Sequence, residues 1–471
     1  MNRGRRASTT TASGSEAASG LRRELGVGDL TLFAIVCIAA PRWIPAAAHA
    51  GPGSVVVWLL AALLIGAPLA TVVPALMLKY PDSGGLYAWT RNDFGPAHGF
   101  IAFWIYWLGM AFWFPSAAVF YLSSTAATFG PAYAHLADNR VFLICGFLAA
   151  VWIALGSTLI GLKTGKWTEN SGALSVMALG IILAAAAAIH WGRQGSATPL
   201  YFVPKLEWNT AAFWAAIVYG VTGTEFLGMM AAEIRSPDRS VRPAIRLATA
   251  FVAVFYAATT LALLVMLRPE AISQIRGFAA GGEAAARVFA APWVSALMGI
   301  LLLVSAFGAF GGVGTAISRM PFAAGADRLL PAAFGRVHPR WHTPHLAVLT
   351  LGVVSSALLL LSQLGETMQA AYQEMVSLMF VAGFLPYVYM FLSGWKAGRR
   401  AAAAVGLGVT LFCLLCSIVP TAEVTKVWLF EAKLAAGTAA MIGSGWLLYA
   451  RSRPDNDPKE SREDSPPRHT S

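Results

Sequence analysis

The chain has 471 residues, of which 57% are hydrophobic and only 12% are charged, and its formal net charge is +11. Soluble domains average about 25% charged residues, so the composition excludes an ordinary soluble domain and predicts lipid as the main surrounding solvent. The basic residues lie in short segments between apolar runs, which argues against a nucleic-acid partner. The four cysteines (Cys37, Cys145, Cys413 and Cys416) lie inside apolar runs, so we expect packing residues and no metal or cofactor.

The two ends of the chain differ from its middle in composition. Residues 1–24 are rich in Arg, Ser, Thr, Ala and Gly, and residues 451–471 are charged and rich in proline. Neither end can bury a core, so both are predicted to be tails, the first of them disordered. No cleavable signal peptide is recognised at the N-terminus.

Twelve stretches between the tails are apolar and long enough to be candidate membrane spans, which need about 20 residues for a hydrocarbon core of about 30 Å. In chain order they are Leu30–His49, Val55–Leu78, Phe100–Leu122, Val141–Ile160, Ala173–Ile189, Ala211–Ala232, Ala244–Met266, Trp293–Ile317, Leu346–Leu361, Met375–Leu392, Ala402–Val419 and Val427–Leu448. The fold class predicted from this pattern is an all-α integral membrane protein of about twelve helices.

The loop charges predict the orientation. With the N-terminus in the cytoplasm, the cytoplasmic loops carry roughly twice as many Lys and Arg residues as the outer loops. Both termini are therefore expected to be cytoplasmic, in a multi-pass protein of the cell (inner) membrane. The same bias accounts for the positive net charge.

Two of the predicted spans contain residues that interrupt a helix. The first has Pro41 and Pro45 within Pro41-Arg-Trp-Ile-Pro45, and the sixth has two glycines and several polar side chains within Tyr219–Glu225. Irregular backbone at membrane depth is tolerated only where protein buries it or where it lines a cavity. The breaks are five spans apart, as expected for the substrate site of an inverted-repeat transporter. Kinks used only for packing are the alternative.

The candidate substrate-binding residues are those at the two breaks, together with one aromatic residue of the third span. They are Ala40, Pro41, Arg42, Trp43, Tyr219, Gly220, Val221, Thr222, Gly223, Glu225 and Trp113.

Arg42 and Glu225 are the charged members of this set, and intramembrane charge indicates function. Arg42 could bind a substrate carboxylate, or it could be paired structurally or extend towards water. Glu225 could relay a proton, bind a substrate ammonium group, or pair with Arg42 or a nearby backbone N–H. Phe112, Trp113 and the nearby Ser116 could reach a central cavity, although most aromatic residues of the third span are expected to pack against lipid or other helices.

A charged segment follows the sixth span. It begins Glu233-Ile-Arg235, and we expect Glu233 and Arg235 to form a gate in which a Glu–Arg pair breaks as the protein opens inward. The alternative is an ordinary solvated loop.

Several motifs together resemble the amino acid–polyamine–organocation (APC) superfamily of permeases. They are Leu25–Thr31, His49–Gly53, Tyr80–Thr90, Phe94–Pro96, the sixth span with its continuation Ala232–Pro243, Arg319–Pro331, and Phe334–Arg340 with Thr343-Pro344. The break in the first span and the pattern of the third look closer to the glutamate/GABA antiporter and polyamine-uptake branches. Glu225 resembles an acidic position of the latter.

The resemblance implies a LeuT-type fold of two inverted five-helix repeats, here residues 25–396, followed by two further helices in residues 397–450. It also implies a substrate site between the first and sixth helices. The family's glycine-rich first break falls here on Ala40-Pro41-Arg42, and proline has no N–H to donate to a carboxylate. Helix five has Ser175 or Val176 where some proton-coupled members carry lysine, so neither a proton site nor a sodium site is predicted there.

The function expected is secondary active transport of amino acids or related amines by alternating access. A coupling proton or an exchanged substrate is a conceivable second partner beside the lipid bilayer. Polyamine or organocation uptake is the first alternative. A membrane-embedded enzyme is a remote alternative because no nucleophile or metal motif occurs in the spans. A channel is equally remote because no ring of charges or carbonyl filter is visible.

Overall fold

The computed structural model describes residues 25–204, 211–362, 368–419 and 427–452. Within these ranges all regular secondary structure is helical, apart from one isolated parallel bridge between Leu25 and Ile234. The predicted all-α class is therefore confirmed. The tail at residues 1–24 lies outside the described residues. The last helix continues to Ser452, so the part of the second tail beyond that residue also lies outside them.

The α-helices are numbered here in chain order. They are α1 Val27–Ile38, α2 Trp43–His49, α3 Gly53–Ala61, α4 Ala67–Lys79, α5 Leu86–Phe94, α6 Pro96–Thr128, α7 Pro131–Ala134, α8 Arg140–Leu159, α9 Leu162–Gln194, α10 Ala211–Val221, α11 Glu225–Met229, α12 Pro237–Met266, α13 Gly277–Val288, α14 Trp293–Ile317, α15 Arg319–Ala326, α16 His345–Ser362, α17 Met368–Lys396, α18 Arg400–Ile418 and α19 Val427–Ser452. A π-helical turn, Ala62–Gly66, joins α3 to α4, and the 3₁₀ turns are His135–Asp138, Ala231–Glu233 and Pro269–Ala271.

A helix or a broken helix pair occupies each of the twelve predicted spans. In the described part of the chain, eight helices are long and apolar enough to cross a membrane, and the bent pair α1–α2 makes a ninth. The protein is thus a multi-pass membrane protein. The total of twelve crossings stays a prediction.

The first break separates α1 from α2 at Ala39–Arg42 and bends the chain by 50°. It begins two residues before the predicted segment, and Pro45 lies in the first turn of α2, where a missing N–H breaks no helical hydrogen bond. The Tyr256 hydroxyl of α12 donates to the Ile38 carbonyl at 2.8 Å and accepts from the Ala40 N–H at 2.9 Å. Protein groups, rather than lipid, therefore satisfy the interrupted backbone.

The second break separates α10 from α11 between Val221 and Glu225. Gly223 has φ +123°, a conformation that side-chain-bearing residues rarely adopt, so the backbone at this position favours glycine. A Cβ atom on Gly223 would also lie 3.0 Å from Cγ1 of Ile38. The second break therefore packs directly on the end of α1.

The long helix α6 lies at the centre of the bundle. It packs against α14 and α17, while α12 packs against both halves of the broken first helix. These helices enclose the two breaks, so charged side chains at the breaks are surrounded by protein.

Candidate functional site

A small cavity of about 20 Å³ lies between the two breaks. The predicted site residues that line it are Ala40, Trp43, Trp113, Tyr219, Thr222, Gly223 and Glu225. Pro41, Arg42, Gly220 and Val221 lie in or next to the breaks without lining this cavity. Its volume holds about one water molecule, so an amino acid can enter only if the surrounding side chains or helices move.

Glu225 begins α11 and is 1% exposed. The Tyr106 hydroxyl donates to its Oε1 at 2.5 Å, and the Gly223 N–H donates to its Oε2 at 3.1 Å. The ring of Tyr387 stacks beside that of Tyr106, with centroids 6.4 Å apart. Of the alternatives for Glu225, the structure shows the bond to a nearby backbone N–H, and no ion pair with Arg42 forms.

Arg42 lies at the end of the first break and is also 1% exposed. Its Nη1 donates to Ser116 Oγ at 3.1 Å, its Nη2 lies 3.7 Å from Met379 Sδ, and its guanidinium stacks 4.1 Å from the Trp43 ring centroid. Its Nε has no hydrogen-bond partner among the described residues, and none of their carboxylates pairs with it. A buried cation without an anion is unfavourable, so this guanidinium is well suited to bind one.

An aromatic cluster, Trp43, Tyr219 and Phe380, lies beside the cavity, and the cavity is lined by two of its members, Trp43 and Tyr219. The ring centroids are 6.0 Å apart for Trp43–Tyr219, 5.7 Å for Trp43–Phe380 and 5.1 Å for Tyr219–Phe380. Trp43 and Phe380 line a second cavity of about 50 Å³, together with Tyr372 and Phe430. Trp43 therefore lines both cavities. Phe380 was not predicted, because it is one of many aromatic residues in apolar helices.

A buried ion pair lies at the end of the bundle that the loop charges predict to be cytoplasmic. Arg319, the first residue of α15, donates to Glu233 through Nε at 3.0 Å and through Nη2 at 2.9 Å and 3.2 Å. Their side chains are 2% and 0% exposed. Arg235 is exposed, and its backbone N–H donates to the Leu25 carbonyl. The partner of Glu233 is therefore Arg319, from a motif 86 residues away, instead of the predicted Arg235.

One buried acid lies outside the predicted set. The fifth span was predicted to begin at Ala173, but α9 begins at Leu162 and places Glu169 inside the bundle at 3% exposure. Thr315 of α14 donates to its Oε1 at 3.2 Å. Glu169 is therefore a further buried acid within the bundle, beside Glu225. A charge four residues upstream of the predicted span was a signal of the longer helix.

The chain matches a family model described as amino acid permease over residues 25–430. The chain belongs to this family. The resemblance to APC permeases drawn from the motifs is thereby confirmed. The permease is a membrane transporter rather than an enzyme.

The permease also resembles individual transporters at low identity. It is 23% identical to an uncharacterized transporter of Legionella pneumophila over 91% of this chain and 97% of the relative. It is 22% identical to the serine/threonine exchanger SteT of Bacillus subtilis, over 81% of this chain and 86% of that one. It is 26% identical to the glutamate/serine transporter AimA of Bacillus subtilis, over 72% of this chain and 66% of AimA.

Proposed function

We propose that the permease is a secondary active transporter of amino acids that works by alternating access. The observation that carries this proposal is the pair of buried charges at the two breaks. Arg42 and Glu225 are each 1% exposed, and neither is neutralised by an ion pair within the described residues. An amino acid carries one charge of each sign on adjacent carbon atoms, so it complements both groups at once.

In this proposal Arg42 binds the substrate carboxylate and Glu225 binds the ammonium group. A guanidinium can hold a carboxylate through two parallel hydrogen bonds. The backbone supports this assignment, because Pro41 has no N–H and the Ala40 N–H already donates to Tyr256. The Tyr106 and Gly223 bonds to Glu225 leave its charge available to a cation.

Alternating access is supported by closures on both sides of the small central cavity. The aromatic cluster lies on one side, and the Glu233–Arg319 pair lies at the predicted cytoplasmic end. A substrate would cross the membrane if the two closures opened in turn. We assign the cell membrane and cytoplasmic termini from the loop charges of the sequence.

Uptake of a polyamine or another organic cation is the second candidate. It is favoured by the aromatic groups around Glu225, since Tyr106, Tyr219 and Trp43 line the same cavity. Aromatic faces attract cations, and a carboxylate beside them strengthens the attraction. A substrate without a carboxylate would leave Arg42 without a direct role.

Counterflow in proteoliposomes tests both candidates. Purified protein is reconstituted with excess unlabelled compound inside, and uptake of the labelled compound is followed for glutamate, serine, arginine and putrescine. Saturable counterflow of an amino acid, with none of putrescine, supports the proposal. Counterflow of putrescine alone supports the second candidate. Absence of transport for a wider panel of amino acids and amines would reject both, and a non-saturable flux would indicate a channel.

A further inference from the structure

Glu169 is a buried acid to which the proposed substrate site gives no role. It lies on α9 at 3% exposure and accepts a hydrogen bond from Thr315 of α14 at 3.2 Å. The two helices touch here through their backbones, since a Cβ on Gly172 would lie 2.7 Å from Gly308 Cα. This close packing holds the carboxyl group inside the bundle.

Glu169 adjoins the ion pair that closes the predicted cytoplasmic end. Arg319 donates from Nη1 to the Thr315 carbonyl at 2.5 Å, and the hydroxyl of the same threonine donates to Glu169. The charged groups that face Glu169 are Arg319, Glu233 and Asp29. On the facing α1 helix, Asp29 is 3.8 Å from Lys166, and among the described residues the thiol of Cys37 is a further titratable group near Glu169. The buried guanidinium of Arg319 therefore donates to one buried acid, Glu233, and is linked to a second, Glu169, through Thr315.

The ionisation of Glu169 has a direct consequence for this ion pair. Arg319 already makes three hydrogen bonds to Glu233, so in the closed arrangement its positive charge is balanced by the Glu233 carboxylate. A second ionised carboxylate in a low-dielectric interior is unfavourable unless it gains a cation of its own. Neutral Glu169 is compatible with the closed arrangement, whereas ionised Glu169 competes with Glu233 for Arg319.

We propose that Glu169 carries a proton that is coupled to transport, a role that rests on the proposed transport function. While the carboxyl group is protonated, Arg319 stays with Glu233 and the predicted cytoplasmic end is closed. Release of the proton to water at that end leaves a carboxylate that attracts Arg319 and weakens the pair. The substrate and the proton then leave on the same side, and Glu169 is protonated again before the next cycle.

The test compares two assays of wild-type protein and of Glu169→Gln, which keeps the size of the side chain and an acceptor for Thr315. The first assay measures uptake of a labelled amino acid that shows counterflow with wild-type protein, driven by a proton gradient with the inside of the proteoliposomes alkaline. The second measures counterflow of the same amino acid without a gradient. With one proton per substrate, a difference of about one pH unit supports about tenfold accumulation in wild-type vesicles. We expect Glu169→Gln, which imitates the protonated carboxyl group, to show no accumulation of substrate above the external concentration, and to show slower counterflow that no longer changes with pH.

The outcomes separate this proposal from the proposed function. No counterflow in wild-type protein rejects the transport function itself. Counterflow without gradient-driven accumulation in wild type rejects only the role of Glu169, as does accumulation retained by Glu169→Gln. If that variant does not fold, Thr315→Val gives a second test. It removes the bond that stabilises the carboxylate, so the pH midpoint of counterflow should rise, and an unchanged midpoint overturns the proposal.

Discussion

Arg42→Met is the sharpest test of the substrate site. Methionine has no charge but can occupy similar space between the Trp43 ring and Met379, which the guanidinium contacts in the structure. Loss of one partner from a buried, hydrogen-bonded charge pair typically costs about 2–5 kcal/mol of binding free energy. At about 1.4 kcal/mol per tenfold, the apparent affinity for a carboxylate-bearing substrate should fall between about 30-fold and about 3,000-fold.

The folded protein should tolerate this change. Within the described residues, the guanidinium donates to Ser116 and the sulfur of Met379 and to no carboxylate. Its removal therefore leaves no buried anion unpaired, which is the usual cause of severe destabilisation. We expect the melting temperature of Arg42→Met in detergent to be equal to or above that of wild type.

The assay is the concentration dependence of counterflow, measured for an amino acid and for its decarboxylated amine. Only the amino acid should lose affinity, and the amine should change by less than about threefold. Lys433→Met is the matched control, because it also replaces a cation by methionine, but in a largely exposed pair with Glu374. Lys433→Met should leave the affinities for the amino acid and for the amine unchanged. An unchanged affinity of Arg42→Met for the amino acid would remove Arg42 from the site.

Three further substitutions test other parts of the arrangement. Glu225→Gln should weaken amino acid binding by about tenfold or more, because it removes the anion proposed to hold the ammonium group, and binding equal to wild type would contradict that role. Glu233→Gln should lower the unfolding free energy by about 3–5 kcal/mol, because it leaves the buried charge of Arg319 without its partner. Adding Arg319→Met to this variant should restore part of the lost stability. Additive losses in thermal denaturation would show that the two side chains are not coupled. Gly223→Ala should cost about 1–3 kcal/mol through backbone strain and reduce transport, whereas Gly408→Ala, which meets open space at an ordinary φ, should be neutral in both measurements.

The location of the breaks could be predicted because proline and glycine act locally. Pro41 disrupts a regular helix, and Gly223 permits a backbone conformation that other residues avoid, so both breaks can be located from the sequence. The hydrogen bonds between Tyr256 and the backbone of the first break could not be predicted. That residue is 216 positions from Ala40, and a tyrosine in an apolar helix has no pattern that identifies its partner.

The partner of Glu233 shows the same limit at the predicted cytoplasmic end. Sequence proximity favours Arg235, but Arg235 lies on the exposed side of the segment that pairs with Leu25. Arg319 reaches Glu233 because it follows α14 directly, and α14 packs against α11, the second half of the broken sixth helix. A long-range pair of this kind depends on helix packing, which the local sequence does not encode.

The departure of this chain from its family at the first break has a physical explanation in these contacts. Free N–H groups at a glycine-rich break can bind a carboxylate, but here Pro41 has none and the Ala40 N–H donates to Tyr256. In the proposed site, the side-chain cation Arg42, held by Ser116 and the Trp43 ring, takes the place of these backbone donors. A buried cation beside the cavity is unfavourable until an anion arrives, so the same group that lowers the stability of the substrate-free state would favour a carboxylate-bearing substrate. On this argument Arg42→Met should make the substrate-free protein no less stable and the substrate-induced rise in melting temperature smaller.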